Sequence, residues 1–429
     1  MKQKSTFILI TAFAAAILTH TKIAAQENND SISKLITHLN DEFMRSKRLK
    51  ISGYMQPQWQ YIDSAGAPSA AGGDFIGGTN PYYSRFTMRR GRIKFTYEYE
   101  NAQFVIVPDI SEKGVFMRET FVKVTDPWMK ILSVTAGLWQ DQFGFELTQS
   151  SSVRETPERA RVFQNLFPAE RDLGVFLTAV APKKSALQGL KADLAVMNGS
   201  AGIAPEFDNH KDFTGRISYS KTSKNEKKSI GFGFSGYYGG YKIGSVRDYT
   251  LTPQTNGELG FSYAPDTANY NRVAKRQYIG YDLQISVTSK IGTTVLRGEY
   301  IEGQQPGTDK SSKSLGALPA SSIYHRSFNG GYLYLIQDIG KSKFQLVAKY
   351  DWYDPNTWIS GKQIGSHGTN TKIGDIRFDT YGFGVNYKVN SNVKLTGYYD
   401  YVINEATSIA AYSKDIPDNV VTVRLQYKF

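Results

Sequence analysis

The chain has 429 residues, no cysteine, 28 Tyr, 24 Phe, 39 Gly and a formal charge of +12. A chain of this length without disulfides draws its stability from packing or from a large framework of backbone hydrogen bonds, which excludes the small disulfide-framed secreted classes. Abundant aromatics and glycines suit short strands joined by turns better than helices, and the basic balance need not mean nucleic acid: in an exported chain it suits a surface or channel that draws anions.

The N-terminus predicts export. Lys2 and Lys4 precede an apolar run from Phe7 to Leu18, broken only by Thr11, and small residues stand at Ala24 and Ala25. This is the layout of a secretory signal peptide over residues 1–25. As a membrane anchor the run falls short of the roughly twenty residues a spanning helix needs. Its removal takes away Lys2, Lys4 and Lys22 and lowers the charge of +12 by three. Residues 26–48 then form an N-terminal periplasmic extension. Within it Ile32, Leu35, Ile36, Leu39 and Phe43 keep the three–four spacing of one helix face across 31–47.

From Leu49 onward the period changes to two. Over 92–99, Ile93, Phe95, Tyr97 and Tyr99 alternate with Arg92, Lys94, Thr96 and Glu98. Over 279–287, Ile279, Tyr281, Leu283, Ile285 and Val287 alternate with Gly280, Asp282, Gln284 and Ser286. The stretches 343–351 and 392–401 repeat the pattern, and the chain closes on Val421, Val423, Leu425, Tyr427 and Phe429 against Thr422, Arg424, Gln426 and Lys428. In the first strand, near 50–60, the phase is ambiguous, and Pro57 marks a kink or bulge before Trp59. Short turns near 101–102, 125–129, 182–187, 221–227, 289–290, 339–342 and 389–391 alternate with mostly longer connections at 62–84, 110–115, 141–170, 199–210, 241–272, 303–326, 355–374 and 404–418. One strand alone is compatible with a soluble sandwich, but a sandwich gives no reason for long connections at one end and aromatics at strand ends. The fold class is therefore all-β: a membrane-spanning, closed antiparallel β-barrel of about sixteen strands over 49–429, with short periplasmic turns and long external loops. The first and last strands pair to close it, in the bacterial outer membrane, among its lipid and lipopolysaccharide. The terminal aromatic also resembles the end signal read by outer-membrane assembly machinery.

A barrel of this size leaves room for a wet lumen, which something has to narrow if it is to select. The connection DQFGFELTQSSSVRETPERARVFQNLFPAERD, 141–172, is the candidate, rich in charge at Glu146, Arg154, Glu155, Glu158, Arg159, Arg161, Glu170, Arg171 and Asp172, with Phe143, Phe145, Val162, Phe163, Leu166 and Phe167 as anchors. It folds inward as a constriction over 141–171, or it is an ordinary external loop with a short helix. The strand-face rule puts Arg90, Arg92, Lys94, Arg297, Lys349, Lys388, Lys394 and Arg424 on lumen faces. Glu98, Asp282, Glu299, Asp351 and Asp400 are their acidic counterparts. Guanidinium groups offer fixed donors to phosphate and carboxylate oxygens, while interleaved Arg and Asp or Glu also make a stable hydrated wall. An enzyme is not expected. His210, His325 and His367 fall in or beside external loops, and no zinc, nucleotide or phosphate-cradling motif is present, so neither cofactor nor metal is expected. YDPN at 353–356 reads as a turn before it reads as a calcium site.

The order FTMRRGRIKF (86–95), GLWQDQFGFELTQSS (137–151) and RDLGVFL (171–177) resembles the phosphate-selective porin O and P family, and GRISYS (215–220), RGEYIEG (297–303) and KYDWYDPN (349–356) resemble its later strands. The resemblance spans roughly 50–429. It implies a sixteen-stranded, usually trimeric outer-membrane porin whose third external loop folds inward. Arg90 and Arg92 match the family's paired-arginine strand; no concentrated run of lysines is present in the third connection. The function expected is passive diffusion of small hydrophilic solutes, anionic or neutral, with a modest preference for anions, phosphate among them. The alternative is a plugged or narrow barrel that binds a protein or glycan through its external loops.

Overall fold

A computed structural model describes residues 47–429 except 66, 68, 73, 74, 78, 79, 113, 203, 265 and 318–321. The chain divides into two units, Met1–Lys50 and Ile51–Phe429. Of the first unit only residues 47–50 are described. The expected signal peptide, 1–25, and all but the last residue of the amphipathic stretch 31–47 lie outside the described residues.

Sixteen long strands make the sheet, all within the second unit except the first two residues of β1: β1 (Leu49–Ile62), β2 (Ser84–Tyr99), β3 (Ala102–Ser111), β4 (Gly114–Thr125), β5 (Leu132–Gln140), β6 (Arg171–Val180), β7 (Leu190–Met197), β8 (Asp212–Thr222), β9 (Lys228–Lys242), β10 (Val273–Ser289), β11 (Gly292–Gly307), β12 (Ile323–Asp338), β13 (Phe344–Asp354), β14 (Phe378–Lys388), β15 (Val393–Asn404) and β16 (Val420–Lys428). Each pairs with its sequence neighbours, and β1 pairs antiparallel with β16 through Tyr54↔Lys428, Gln58↔Arg424 and Ile62↔Val420. Gly53 and Phe429 exchange both backbone hydrogen bonds at 3.0 Å, so the terminal residue is stitched into the seam. Closure removes the free edges that lipid could not satisfy.

The alternation places side chains as the sequence predicts. On β10, Tyr281, Leu283 and Val287 are exposed outward and Asp282 is buried inward; on β16, Val423, Leu425 and Tyr427 are exposed while Thr422, Arg424 and Gln426 are buried. An apolar band exposed on every side is the surface a bilayer covers. Two details depart from the sequence reading. The register of β1 with β16 runs from Tyr54 to Ile62 without a shift, so Pro57 makes no bulge; it faces outward, and Gln56, Gln58 and Gln60 face in. The shift occurs instead between Val107 and Pro108, where β3 pairs with β4. The connection between β3 and β4, placed among the longer ones, is short, since Ser111 of β3 pairs with Gly114 of β4.

The other external connections carry structure of their own. In 243–272 the segments Asp248–Pro253 and Leu259–Ser262 form a hairpin whose first residues pair with Ile323 and Tyr324 of β12. Buried Ile359, Ile364 and Ile376, with Leu251, Leu259, Ile409 and Tyr412 against them, make a small apolar core that ties three loops together. The connection between β5 and β6 carries two short helices, α1 (Phe145–Thr148) and α2 (Arg161–Leu166). Among the described residues no helix is long and apolar enough to cross a membrane.

Candidate functional site

The connection 141–170 is folded into the barrel. Its apolar side, Phe143, Leu147, Val162, Phe163, Leu166 and Phe167, packs in one buried cluster against inward Tyr237, Tyr278, Phe328, Tyr332, Tyr334 and Tyr353 from β9, β10, β12 and β13. Phe145 instead lies under the Arg297 guanidinium, 5.0 Å from its centre. Gly144 makes the entry possible. Its φ of 62° is left-handed, and a Cβ there would overlap the Glu299 carboxylate. That carboxylate accepts the N–H groups of Phe145 (3.2 Å) and Glu146 (3.1 Å) and the Tyr332 hydroxyl (2.9 Å). A strand residue thus satisfies the free donors of α1.

The polar side of the connection is held from β2 and β16 and from β11 to β15. Glu158 accepts from Arg89 Nε (2.8 Å) and Nη2 (2.9 Å), Arg90 Nη2 (2.8 Å) and Arg424 Nη2 (2.9 Å). Burial alone would push the Glu158 carboxyl up; the three guanidinium groups outweigh it and hold the carboxyl well below the usual carboxylate range. Arg424 also donates to the Pro157 carbonyl at 2.6 Å. Glu155 receives Arg297 at 3.1 and 3.3 Å. The Arg154 carbonyl receives Lys394 Nζ at 2.7 Å, and Asp351 accepts the Arg161 N–H at 3.2 Å. Glu146 accepts from the Tyr334 hydroxyl at 2.7 Å and from the Ala160 N–H at 3.0 Å. The Arg154 guanidinium is buried, and its three nitrogens have no hydrogen-bond partner among the described residues.

Towards the chain ends the lumen holds a second charged group. Arg92 donates to Asp109 (2.6 Å), Tyr54 (2.8 Å) and Ser151 (3.0 Å). Arg171 reaches Glu119 (2.7 Å) and Glu170 (2.8 Å), while Arg118 and Arg159 also pair with Glu170. Burial would raise the Glu170 carboxyl; Arg159, Arg118 and Arg171 outweigh it and hold it well below the usual range. Beside these groups lies a cavity of about 430 Å³ lined by Arg92, Lys94, Arg118, Arg171 and Lys428 with one acidic side chain, Glu119. Ser150, Ser152 and Val153 of the 141–170 connection form part of its lining.

Not every predicted residue joins these groups. Lys349 pairs with Asp351 (2.7 Å) and Asp400 (3.6 Å) on its own wall. Lys388 is largely exposed and pairs with Asp338 at 2.9 Å. Arg161 lies over the Phe378 ring at 4.2 Å. Sequence reasoning missed Arg89, Arg118 and Glu119, and took Glu299 only as a wall charge. Arg89 escaped because strict alternation turns it outward. Inward contacts run through Arg85 and Arg89 and then Arg90 and Arg92, a change of phase that points two consecutive arginines at the lumen. His325 pairs with Asp248 at 2.5 Å, with no serine bonded to its ring among the described residues. Asp354 accepts the Asn356 N–H at 3.1 Å, the turn expected of YDPN.

No family model matches the chain, and neither does any curated protein. Solved structures match it by fold. The chain is similar to OprB of Pseudomonas putida, at 9% identity over 90% of this chain and 95% of that one, TM-score 0.56. It is similar to an anion-selective porin from Comamonas acidovorans, at 11% identity over 89% and 99%, TM-score 0.50. It is also similar to the outer membrane channel DcaP of Acinetobacter baumannii, at 12% identity over 89% and 97%, TM-score 0.50. The fold is the closed sixteen-strand antiparallel barrel of outer-membrane porins. With its apolar outer band, this makes the chain a multi-pass protein of the bacterial outer membrane.

Proposed function

We propose that the protein is a channel for passive diffusion of small hydrophilic solutes, neutral or anionic, with a modest preference for anions that extends to phosphate, and that it is not an enzyme. The observation that carries this reading is the lumen cavity whose lining holds five basic side chains and one acidic one, Glu119, with Asp109 and Glu170 pairing Arg92, Arg118 and Arg171 from outside the lining, so that Lys94 and Lys428 carry the excess positive charge. A basic wall inside a low-dielectric tube concentrates anions and repels cations. In this reading residues 141–171 are the constriction, and the wall arginines have two tasks. Arg90, Arg297 and Arg424 hold the connection by its carboxylates, while Arg92, Lys94 and Arg171 face the path. Kinship with the phosphate-selective porin O and P family belongs to the same proposal. Its motif stretches 86–95, 137–151 and 171–177 supply Arg92, Lys94, Trp139, Gln140, Ser150 and Arg171 to the cavity. The similar Comamonas protein is anion-selective. A signal peptide over 1–25, a periplasmic extension over 26–48 and a homotrimer complete the reading. The short strands β5 to β7, with exposed Val134, Val175, Leu177, Leu194 and Val196, offer an apolar face for trimer contacts.

The test is the reversal potential of single channels in a planar bilayer under a potassium chloride gradient, repeated with added phosphate. The expected result is a shift toward the chloride potential, reduced several-fold in a Lys94→Glu, Lys428→Glu double variant. Cation preference in the wild type would overturn the charge argument. The second reading, a plugged barrel that engages a protein or glycan through its loops, is favoured by the buried packing of Phe143, Phe163 and Leu166 against the wall. Absence of conductance together with a stable co-purifying partner would select it.

A further inference from the structure

We propose that the outer wall of β10, β11 and β12, just above the membrane, is a binding groove for the oligosaccharide head of an outer-leaflet glycolipid. The strand register lays out this surface. Ile279, Glu302 and Asn329 form one outward row, and Gln277, Gln304 and Ser327 form the next row toward the external ends of the strands. Tyr238 of β9 extends the second row, opposite Gln277. Two adjoining cavities, of about 520 and 540 Å³, open on these rows and share Gln304 and Ser327.

The groove has built walls. On one side the external hairpin is fixed to β12 by the pairs Asp248↔Ile323 and Tyr249↔Tyr324. The Tyr249 and Tyr324 rings stack with centroids 4.5 Å apart and planes 3° from parallel. On the other side the Thr357 N–H donates to the Ser327 carbonyl at 2.8 Å, which sets the exposed Trp358 at the rim of the upper cavity. Asp248 is engaged by His325 at 2.5 Å and by Arg272 at 3.5 Å; the Glu302 carboxylate of the first row accepts from the Tyr300 hydroxyl at 3.0 Å, and Arg272 and Lys275 line the upper cavity.

Position identifies the occupant. Directly beneath the polar rows, Tyr300, Tyr350 and Trp352 form an aromatic belt, with ring centroids 6.2 and 5.5 Å apart, and Trp352 Nε1 donates to Asn329 at 3.0 Å. Level with Tyr350 the outward residues are Leu283 and Leu333, and below them come Leu296 and Leu346, all exposed. Aromatic belts sit at the level of lipid headgroups, so the rows above it lie among headgroup sugars. Acyl chains of a molecule seated there would run down the leucine band. Side-chain amides present a donor and an acceptor at fixed spacing, which suits neighbouring sugar hydroxyls, and Trp and Tyr add flat apolar faces with a polar tip.

The test uses the full-length protein in detergent with two probes: lipopolysaccharide carrying a complete core oligosaccharide, and lipid A lacking it. Native mass spectrometry measures the retained glycolipid, and heat-modifiable migration confirms the fold. The wild type is expected to retain the core-bearing molecule several-fold better than lipid A, and Gln304→Ala with Trp358→Ala is expected to abolish that preference while the barrel stays folded. Equal retention of both probes by the wild type would overturn the proposal without need of any variant. A folded double variant that keeps the preference would also overturn it.

Discussion

Glu158 is the most consequential single carboxylate in the lumen, and its removal tests how the 141–170 connection is held. In Glu158→Gln the shape is kept and the charge is lost, leaving Arg89, Arg90 and Arg424 crowded without their common anion. The wild-type carboxylate accepts four charge-assisted bonds of 2.8 to 2.9 Å and is 7% exposed at the side chain. Breaking a buried ion pair from one side costs about 3–5 kcal/mol, because the partner charges stay buried. With three guanidinium groups stranded, we place the loss within that range. Urea-driven unfolding in lipid vesicles measures the loss, and single-channel recordings are expected to show a noisier, larger current as the connection works loose. The pH dependence gives an independent check. A carboxyl held below its unfolded value contributes stability that is fully present above that value, near 4.3, and is lost as pH falls through the folded one. The Glu158 contribution should therefore stay unchanged between pH 5 and 8 and be lost only in stronger acid, and Glu158→Gln lacks that acid-dependent part. An unchanged urea midpoint with unchanged current noise in Glu158→Gln at neutral pH would refute the reasoning.

Two further predictions concern sites of opposite character. Arg154 is buried with no hydrogen-bond partner for its guanidinium among the described residues, so Arg154→Met should be neutral or stabilising in the same urea assay; clear destabilisation would show that the nearby Glu146 carboxylate compensates the charge. In the turn after β4, Asp126 accepts the N–H groups of Met129 (2.7 Å), Lys130 (3.1 Å), Ile131 (2.7 Å) and Leu132 (2.8 Å). These bonds, led by that of Leu132, lower its carboxyl below the ordinary value. Asp126→Ala should speed amide exchange at those residues, and in the wild type their protection should fall only as pH drops below the ordinary carboxylate range; exchange unaltered by the substitution would rule this out.

The sequence by itself determined the barrel. Period-two alternation is a local property: each outward Leu, Val or Tyr on β10 or β16 is fixed by its neighbours two residues away. The strand count and the alternation of short and long connections follow by adding such stretches along the chain. The inward faces of Arg90, Arg92, Arg297, Lys349, Lys394 and Arg424 were legible for the same reason, and so was the apolar side of the 141–170 connection. What those residues hold was not legible. Arg424 meets Glu158 across 266 positions of sequence, and Glu299 meets Glu146 across 153. Such pairings depend on where closure brings opposite walls and how far the connection reaches into the lumen, and no local period encodes either distance. Arg89 shows the limit in one residue: its contact with Glu158, like that of Arg90, points inward, and only the assembled barrel brings that carboxylate within reach of both consecutive arginines.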